Sequence, residues 1–463
     1  MDPHESPTLA AGDLSEREVS KASATYRAVL PAAVLPELPS RASLFSRLLT
    51  AGKTGGLAII GQMLFAGSHF ISNILLARWL APEKYGAFAL AYSCFLLVVM
   101  LYCACIYEPL IVYGSGRYLT RFKIYLKLLL SGNVIILMVL ALAMIAIAVV
   151  LRLFYPVDVS RAFLMLAVVA PFILTTWLGR AGFYAQLKPG KAALGGAIYC
   201  GTVLGCLFIL YITNHLSPPT AFLAMGIAGL LANLFFRGEL RRGAHDGPAS
   251  LTLGIVMRDH WNYGRWAMAS AIVAWFPDNI YYTLLSTRAG LEGVAGLRAL
   301  INLVSPLIQT LTALAGVLIP TLVRHLTEGG TKRLTKAVNM LLAVLLPCSI
   351  LYVGTVWMYR TTLIGLLYAG KYMQYSSTPV FVIASLPICV TATMVLGAGL
   401  RALEKPEYVF CSYIAGTLSA GAIGIPLALH AGVAGAAIGL LVSNVVTAVA
   451  MTWSLHHATV VRS

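Results

Sequence analysis

The chain alternates long apolar runs with short polar breaks. The stretch "VIILMVLALAMIAIAVVL", from Val134 to Leu151, contains no polar side chain. Runs of about 20 apolar residues are long enough to cross a ~30 Å hydrocarbon core as helices. A membrane barrel would instead need ten-residue segments of alternating polarity. Reading the apolar windows against their breakers predicts twelve spans. Approximate limits are 55–80, 84–112, 124–151, 160–185, 191–213 and 217–237 for spans 1 to 6. Spans 7 to 12 fall at 262–287, 291–322, 334–358, 374–400, 406–428 and 432–455. In "FISNILLARWLAPEKYGAFAL" one apolar run ends at Pro82 and the next begins at Gly86, which predicts a tight hairpin between spans 1 and 2.

Composition agrees with this pattern. The 463 residues are 59% hydrophobic and only 11% charged, whereas a soluble domain is about a quarter charged. The fold expected is an all-α integral membrane protein, with about 12 transmembrane helices in two six-helix lobes around a central cavity. Residues 1–53 read as a mostly disordered cytoplasmic tail with a short interfacial helix near Arg41 to Lys53. The lobes are expected at 54–238 and 261–457, with a cytoplasmic linker at 239–260 and a short tail at 458–463.

Charge gives the orientation. With the N-terminus inside, 25 of the 33 Lys and Arg residues fall on the cytoplasmic side and 8 on the other. The net charge of +16 therefore reflects topology and calls for no nucleic acid. The loops on the outer side are short. A membrane glycan polymerase or ligase normally carries a sizeable catalytic loop there. The eight cysteines lie in or beside apolar segments without CxxC or zinc spacing, and are expected to be small buried hydrophobes. In "AGKTGG" a Walker loop would need Gly where Arg47 stands, so nucleotide binding is rejected.

Spans 1 and 2 lay over spans 7 and 8. Asn73 aligns with Asn279, Gly86 with Gly296, and Pro109 with Pro320. Six spans per half put both halves in the same orientation, related by an axis along the membrane normal, as in transporters that rock around a midplane site.

The hairpin "NILLARWLAPEKYGAFALA" and the stretch carrying Asp278, Gly293, Gly296 and Pro320 resemble the polysaccharide transport (Wzx-like flippase) family of the multidrug/oligosaccharidyl-lipid/polysaccharide exporter superfamily. The resemblance covers about residues 53 to 457. It implies a flippase, not an enzyme, in the cell inner membrane with both termini cytoplasmic. Its substrate would be a polyprenyl-diphosphate-linked oligosaccharide, flipped by alternating access for exopolysaccharide, capsule or O-antigen. It further implies membrane lipids, a glycan polymerase and chain-length machinery as partners, and coupling to a proton or sodium gradient with no cofactor. The alternatives are a cation-coupled multidrug exporter of the same superfamily, a major-facilitator-type sugar carrier and a membrane glycan polymerase or ligase. The carrier is disfavoured because "GSGRYLTRFK" lacks the usual Asp-Arg pairing.

Intramembrane charge is costly and normally faces a cavity. On span 8, Arg298, Asn302, Ser305, Gln309 and Thr312 recur on one helix face over ~21 Å. This face is the expected cavity wall, against the alternative of Arg298 snorkelling outward. On span 1, Gln62, His69, Ser72 and Asn73 share a face, with His69 near mid-span. His69 and Asp278 are candidates for coupling, the alternatives being a helix-bonded neutral His69 and an Asp278–Arg298 pair. Glu108 is a further coupling candidate, expected to meet Arg180. Arg180 and Arg265 are candidates for gripping a diphosphate. Arg78 reads as an interfacial anchor.

Overall fold

The computed structural model describes residues 41–115, 117–186, 188–241 and 251–461. Met1–Lys53 and Thr54–Ser463 form two separate compact units. Residues 1–40 of the expected tail, 1–53, and residues 242–250 of the expected linker, 239–260, lie outside the described residues.

Every regular element among the described residues is helical. Ten helical stretches are long and apolar enough to cross a membrane. One of them, Pro406–Thr459, holds spans 11 and 12 together. Span 7 lies on the helix Leu253–Arg288, which is not among the ten and which runs unbroken through Pro277, Asp278 and Asn279. Counted this way, the helices give the twelve expected spans.

Two glycines explain where continuous helix becomes two spans. The helix Gly290–Met358 carries spans 8 and 9 and breaks at Gly330, whose φ is +67°. Ile425–Val461 breaks at Gly432, with φ +56°. A side chain at either position would be strained by this left-handed backbone. The segment 41–53, where a short interfacial helix was expected, is helical, within the helix Arg41–Trp79.

Two features differ from the sequence-based expectation. Span 2 is not a plain α-helix: Pro82–Tyr102 passes through a π-turn, Cys103–Tyr107, into Glu108–Ser115. A second π-turn, Ala420–Gly424, interrupts span 11. Such turns insert a residue without ending the helix, so hydropathy does not register them. The loop before span 10 also holds a short helix, Arg360–Tyr368.

The core shows how the halves meet. One large apolar cluster joins residues of spans 1 to 6, such as Phe88, Phe163 and Phe222, to residues of the second half that follow the turn at 289, such as Val294 and Leu300, and to Tyr368. A second cluster, with Leu322, Leu334, Leu396, Leu400 and Leu455, draws only on the second half. The halves thus share a core toward the hairpin turns, and Val256 extends it toward the other end, marked by Arg241 and Leu251, where the second half also packs on itself. We refer to these as the hairpin end and the linker end.

The hairpin end is tightly closed. A Cβ on Gly86 would overlap the carbonyl of Leu291 in the opposite hairpin, so only glycine permits the approach. Tyr155 and Ser286 share a 2.9 Å hydrogen bond across the halves. Lys371 Nζ donates to the carbonyls of Arg78 and Leu80, at 2.6 Å each. Arg78 donates back to the Leu366 carbonyl. Arg78 is therefore a bridge between the halves as well as an exposed end-of-span cation.

The cysteines differ from the expectation too. All eight are free, as expected, but none is fully buried, and Cys348 and Cys411 are exposed. In a lipid-facing wall, exposure carries no cost for a small apolar side chain.

Candidate functional site

Span 8 crosses the middle of the molecule against span 2, and Arg298 sits on that crossing. Its Nε donates to Asn73 Oδ1 at 3.2 Å and its Nη1 approaches the Tyr282 hydroxyl at 3.5 Å. The guanidinium carbon lies 4.9 Å from the centroid of the Tyr92 ring. Spans 1, 2, 7 and 8 thus each contribute one group to a single cationic centre. Arg298 does not snorkel outward, and it does not pair with Asp278. Its contacts are amide, hydroxyl and aromatic face, so its positive charge is solvated locally but not neutralised.

One turn along span 8, Asn302 is buried and donates to the Tyr85 hydroxyl at 3.0 Å. The polar stripe then changes character. Ser305 is half-buried and bonds its own helix at Ile301, while Gln309 and Thr312 are exposed. The stripe expected to be one continuous wall is buried near the hairpin end and open toward the linker end. The shared core explains this: it encloses Arg298 and Asn302 and stops before Gln309.

Arg180 forms a second centre on span 4. It is the largest fully buried side chain, at 0% exposure. Its Nη2 donates to Gln62 Oε1 at 2.9 Å and reaches the Tyr184 hydroxyl at 3.4 Å. The guanidinium lies 4.0 Å from the Phe65 centroid and 5.9 Å from the rings of Trp177 and Tyr184. Cation–π contact is worth ~2 kcal/mol when desolvated. That offsets only part of the several kcal/mol that burying an ion costs. Arg180, expected to grip a diphosphate, is fully enclosed in this arrangement. Glu108 does not meet Arg180 either: it is exposed at the start of Glu108–Ser115 and feels the charge of Arg401.

His69 lies between the two cationic centres, close enough to Arg180 and Arg298 to feel both. Its ring meets Phe65 edge-on at 5.0 Å and Tyr199 at 5.5 Å. Asn73 Nδ2 donates to the His69 carbonyl at 2.8 Å, which leaves its oxygen for Arg298. Gln62, His69 and Asn73 therefore do share a face, and it bears on both arginines. Ser72 is buried beside them.

Asp278 belongs to a different neighbourhood. It is exposed, and it hydrogen-bonds Asn444 of span 12. Tyr281, Tyr413 and Arg401 complete this polar patch of the second half. Arg265 lies exposed on the helix Leu253–Arg288, just after Gly264, whose close packing against Cys105 fixes the helix on the π-turn.

The sequence reading missed the tyrosines. Tyr85, Tyr92, Tyr199, Tyr282, Tyr368 and Tyr372 are all buried around these centres. Tyr368 donates to the Ala299 carbonyl at 2.8 Å. The available signal was position: tyrosines normally belt the interface, and several of these fall away from it.

No protein-family model matches the chain, and no curated protein matches it. Solved structures do. The chain is similar to the inward-facing conformation of a multidrug resistance MATE family transporter of the MOP superfamily, at 16% identity and TM-score 0.73, over 87% of this chain and 98% of that one. The outward-facing conformation of such a transporter matches at 15% identity and TM-score 0.63, over 88% and 96%. A MOP superfamily transporter from Pyrococcus furiosus, described as having a binding pocket of reverse polarity, matches at 15% identity and TM-score 0.64, over 88% and 95%. The chain has the fold of MOP superfamily transporters.

Proposed function

We propose that the chain is an alternating-access exporter for an amphiphile that carries negative charge, captured at the linker end and released at the hairpin end. The observation that carries this reading is Arg298: a guanidinium at the crossing of spans 1, 2, 7 and 8, bonded to Asn73 and Tyr282 with no carboxylate in ion-pair contact among the described residues. Fold alone does not set the substrate; the polarity of the site does. A cationic drug would be repelled there, whereas a phosphate or carboxylate would supply the missing countercharge. Transport would work by rocking the halves about this centre. The closed hairpin end fits the inward-facing phase of that cycle.

Within this reading, two substrate classes differ in support. The solved transporters with this fold favour a multidrug exporter, here one for anionic or zwitterionic drugs. The uncompensated arginine favours a polyprenyl-diphosphate-linked oligosaccharide. Placement in the inner membrane with cytoplasmic termini rests on the distribution of Lys and Arg, and proton or sodium coupling rests on Asp278 and His69.

The test is a deletion strain examined for both phenotypes. A trapped single-repeat lipid-linked oligosaccharide with lost surface glycan supports the flippase. Normal lipids with raised sensitivity to anionic drugs support the exporter. Sensitivity confined to cationic drugs would overturn the charge argument.

A further inference from the structure

We propose that the first half contains a separate binding site for a small monovalent anion of low hydration energy, a halide, held by Arg180. The site lies inside the bundle of spans 1, 4 and 5 and does not depend on what the space between the halves carries.

Three observations converge. First, Arg180 has 0% exposure and, among the described residues, no ion pair; its Nε and Nη1 have no hydrogen-bond partner. Nη2 alone is engaged, by Gln62 and Tyr184. Two donors of one buried guanidinium, on either side of Cδ, therefore lack an acceptor, and either could donate to a single ion. Second, two polar groups on rings that pack against the same Phe65 are orphaned as well. His69 Nδ1 and the Tyr199 hydroxyl have no partner either. Both rings pack on Phe65, the ring under the guanidinium, at 5.0 and 5.1 Å. Buried polar groups are nearly always satisfied, so four unmet atoms around one aromatic ring call for a ligand. Third, the walls are Phe65, Trp177 and Tyr199 rather than further cations. Such walls suit one weakly hydrated charge. A phosphate or sulfate would leave several oxygens unsolvated.

A lipid headgroup is excluded by access. Spans 1 and 5 touch closely enough that a Cβ on Gly61 would lie 2.9 Å from the Ala193 Cα. A single ion can reach Arg180 through side-chain fluctuations; a diphosphate tethered to a polyprenyl chain cannot.

The experiment uses the purified full-length protein in detergent, at constant ionic strength, with sodium gluconate replaced stepwise by sodium chloride or bromide. Thermal unfolding is followed by tryptophan fluorescence. The expected result is a melting temperature that rises with the logarithm of halide concentration above a threshold, as for a ligand of the folded state. Arg180→Gln should abolish the rise, while Arg298→Gln should retain it. An equal halide response in Arg180→Gln, or no halide-specific response in the parent protein, would overturn the proposal. If Arg180→Gln does not fold, bromide-soaked crystals of the parent protein decide. An anomalous peak within hydrogen-bonding distance of Arg180 Nε or Nη1 supports the site, and a featureless map there removes it. Failure of the transport reading would leave these outcomes unchanged, because none of them reads transport.

Discussion

Arg298 and Asn73 are 225 residues apart in the chain and meet through a 3.2 Å hydrogen bond from Nε to Oδ1. The contact joins span 1 to span 8, and therefore the first half to the second. A bond at this place helps hold the halves in one arrangement, and in the function proposed above it also orients the group that meets the substrate. Replacing Arg298 by Ala should abolish transport of the anionic substrate while leaving the protein inserted and abundant. Arg298→Lys should retain charge but lose the fork that reaches Asn73 and Tyr282 together, reducing transport about tenfold. Surface glycan or anionic-drug efflux, measured against protein level in the membrane, checks both. Full activity in Arg298→Ala would remove the residue from the mechanism.

Gly86 tests the rocking motion. Its neighbour across the halves is the backbone of Leu291, not the flexible end of a side chain, so an added methyl group cannot be absorbed locally. Gly86→Ala should bias the molecule away from hairpin-end closure. In a background with the native cysteines replaced, a cysteine at Ser286 should label faster with a membrane-impermeant maleimide when Gly86→Ala is present. Unchanged labelling would mean that the two hairpins separate without passing through this contact.

Much of this arrangement was legible in the chain. The twelve spans follow from hydropathy because the bilayer imposes its own length on each helix. Arg298, Asn302, Gln62, His69, Asn73 and Arg180 could be singled out because polar groups at depth are expensive and rarely accidental. Which of them meet was not legible. Helix periodicity gives a face but not the helix it faces, so Asp278 looked available to Arg298 although it lies against Asn444. Glu108 looked available to Arg180 for the same reason. The π-turn at Cys103–Tyr107 shifts the register of span 2 just before Glu108, and no residue pattern announces it. The depth of burial of Arg180 was also hidden, since a linear sequence cannot show that three spans close around one side chain.

Asp278 is the carboxylate best placed to link transport to a cation gradient. It is accessible, and it bonds a neutral amide, Asn444, rather than an arginine. An exposed acid without a fixed cation is free to exchange a proton or a sodium ion. Asp278→Asn should keep the hydrogen bond to Asn444 and lose the exchange. The expected outcome is normal abundance with transport that no longer responds to an imposed pH or sodium gradient in proteoliposomes. A retained gradient response would assign coupling to another group.

At the linker end a latch ties the first half to the start of the span 7 helix. Arg117 pairs with Asp259 at 2.9 Å, and the Tyr118 hydroxyl donates to the same carboxylate. The next residue, His260, is buried, with Nδ1 2.9 Å from the Cys105 carbonyl and Nε2 2.7 Å from the Tyr125 hydroxyl. A carbonyl only accepts, so Nδ1 carries the proton and the neutral ring accepts from Tyr125 at Nε2. Burial lowers the imidazole below its ordinary value of 6.5, opposed by the Cys105 carbonyl and Asp259. The sign follows. The unfolded chain takes up this proton first, so the latch is fully stabilising above pH 6.5 and weakens as pH falls toward the lowered value. Protonation would reverse that bond, with Nε2–H donating to the Tyr125 oxygen after the hydroxyl turns. Tyr125→Phe should lower the melting temperature at pH 8, because the neutral ring then loses its donor, and should flatten the decline between pH 7 and 5, because the neutral form is no longer favoured by that bond. A mutant with the same acid dependence as the parent protein would show that His260 does not set the stability of this end.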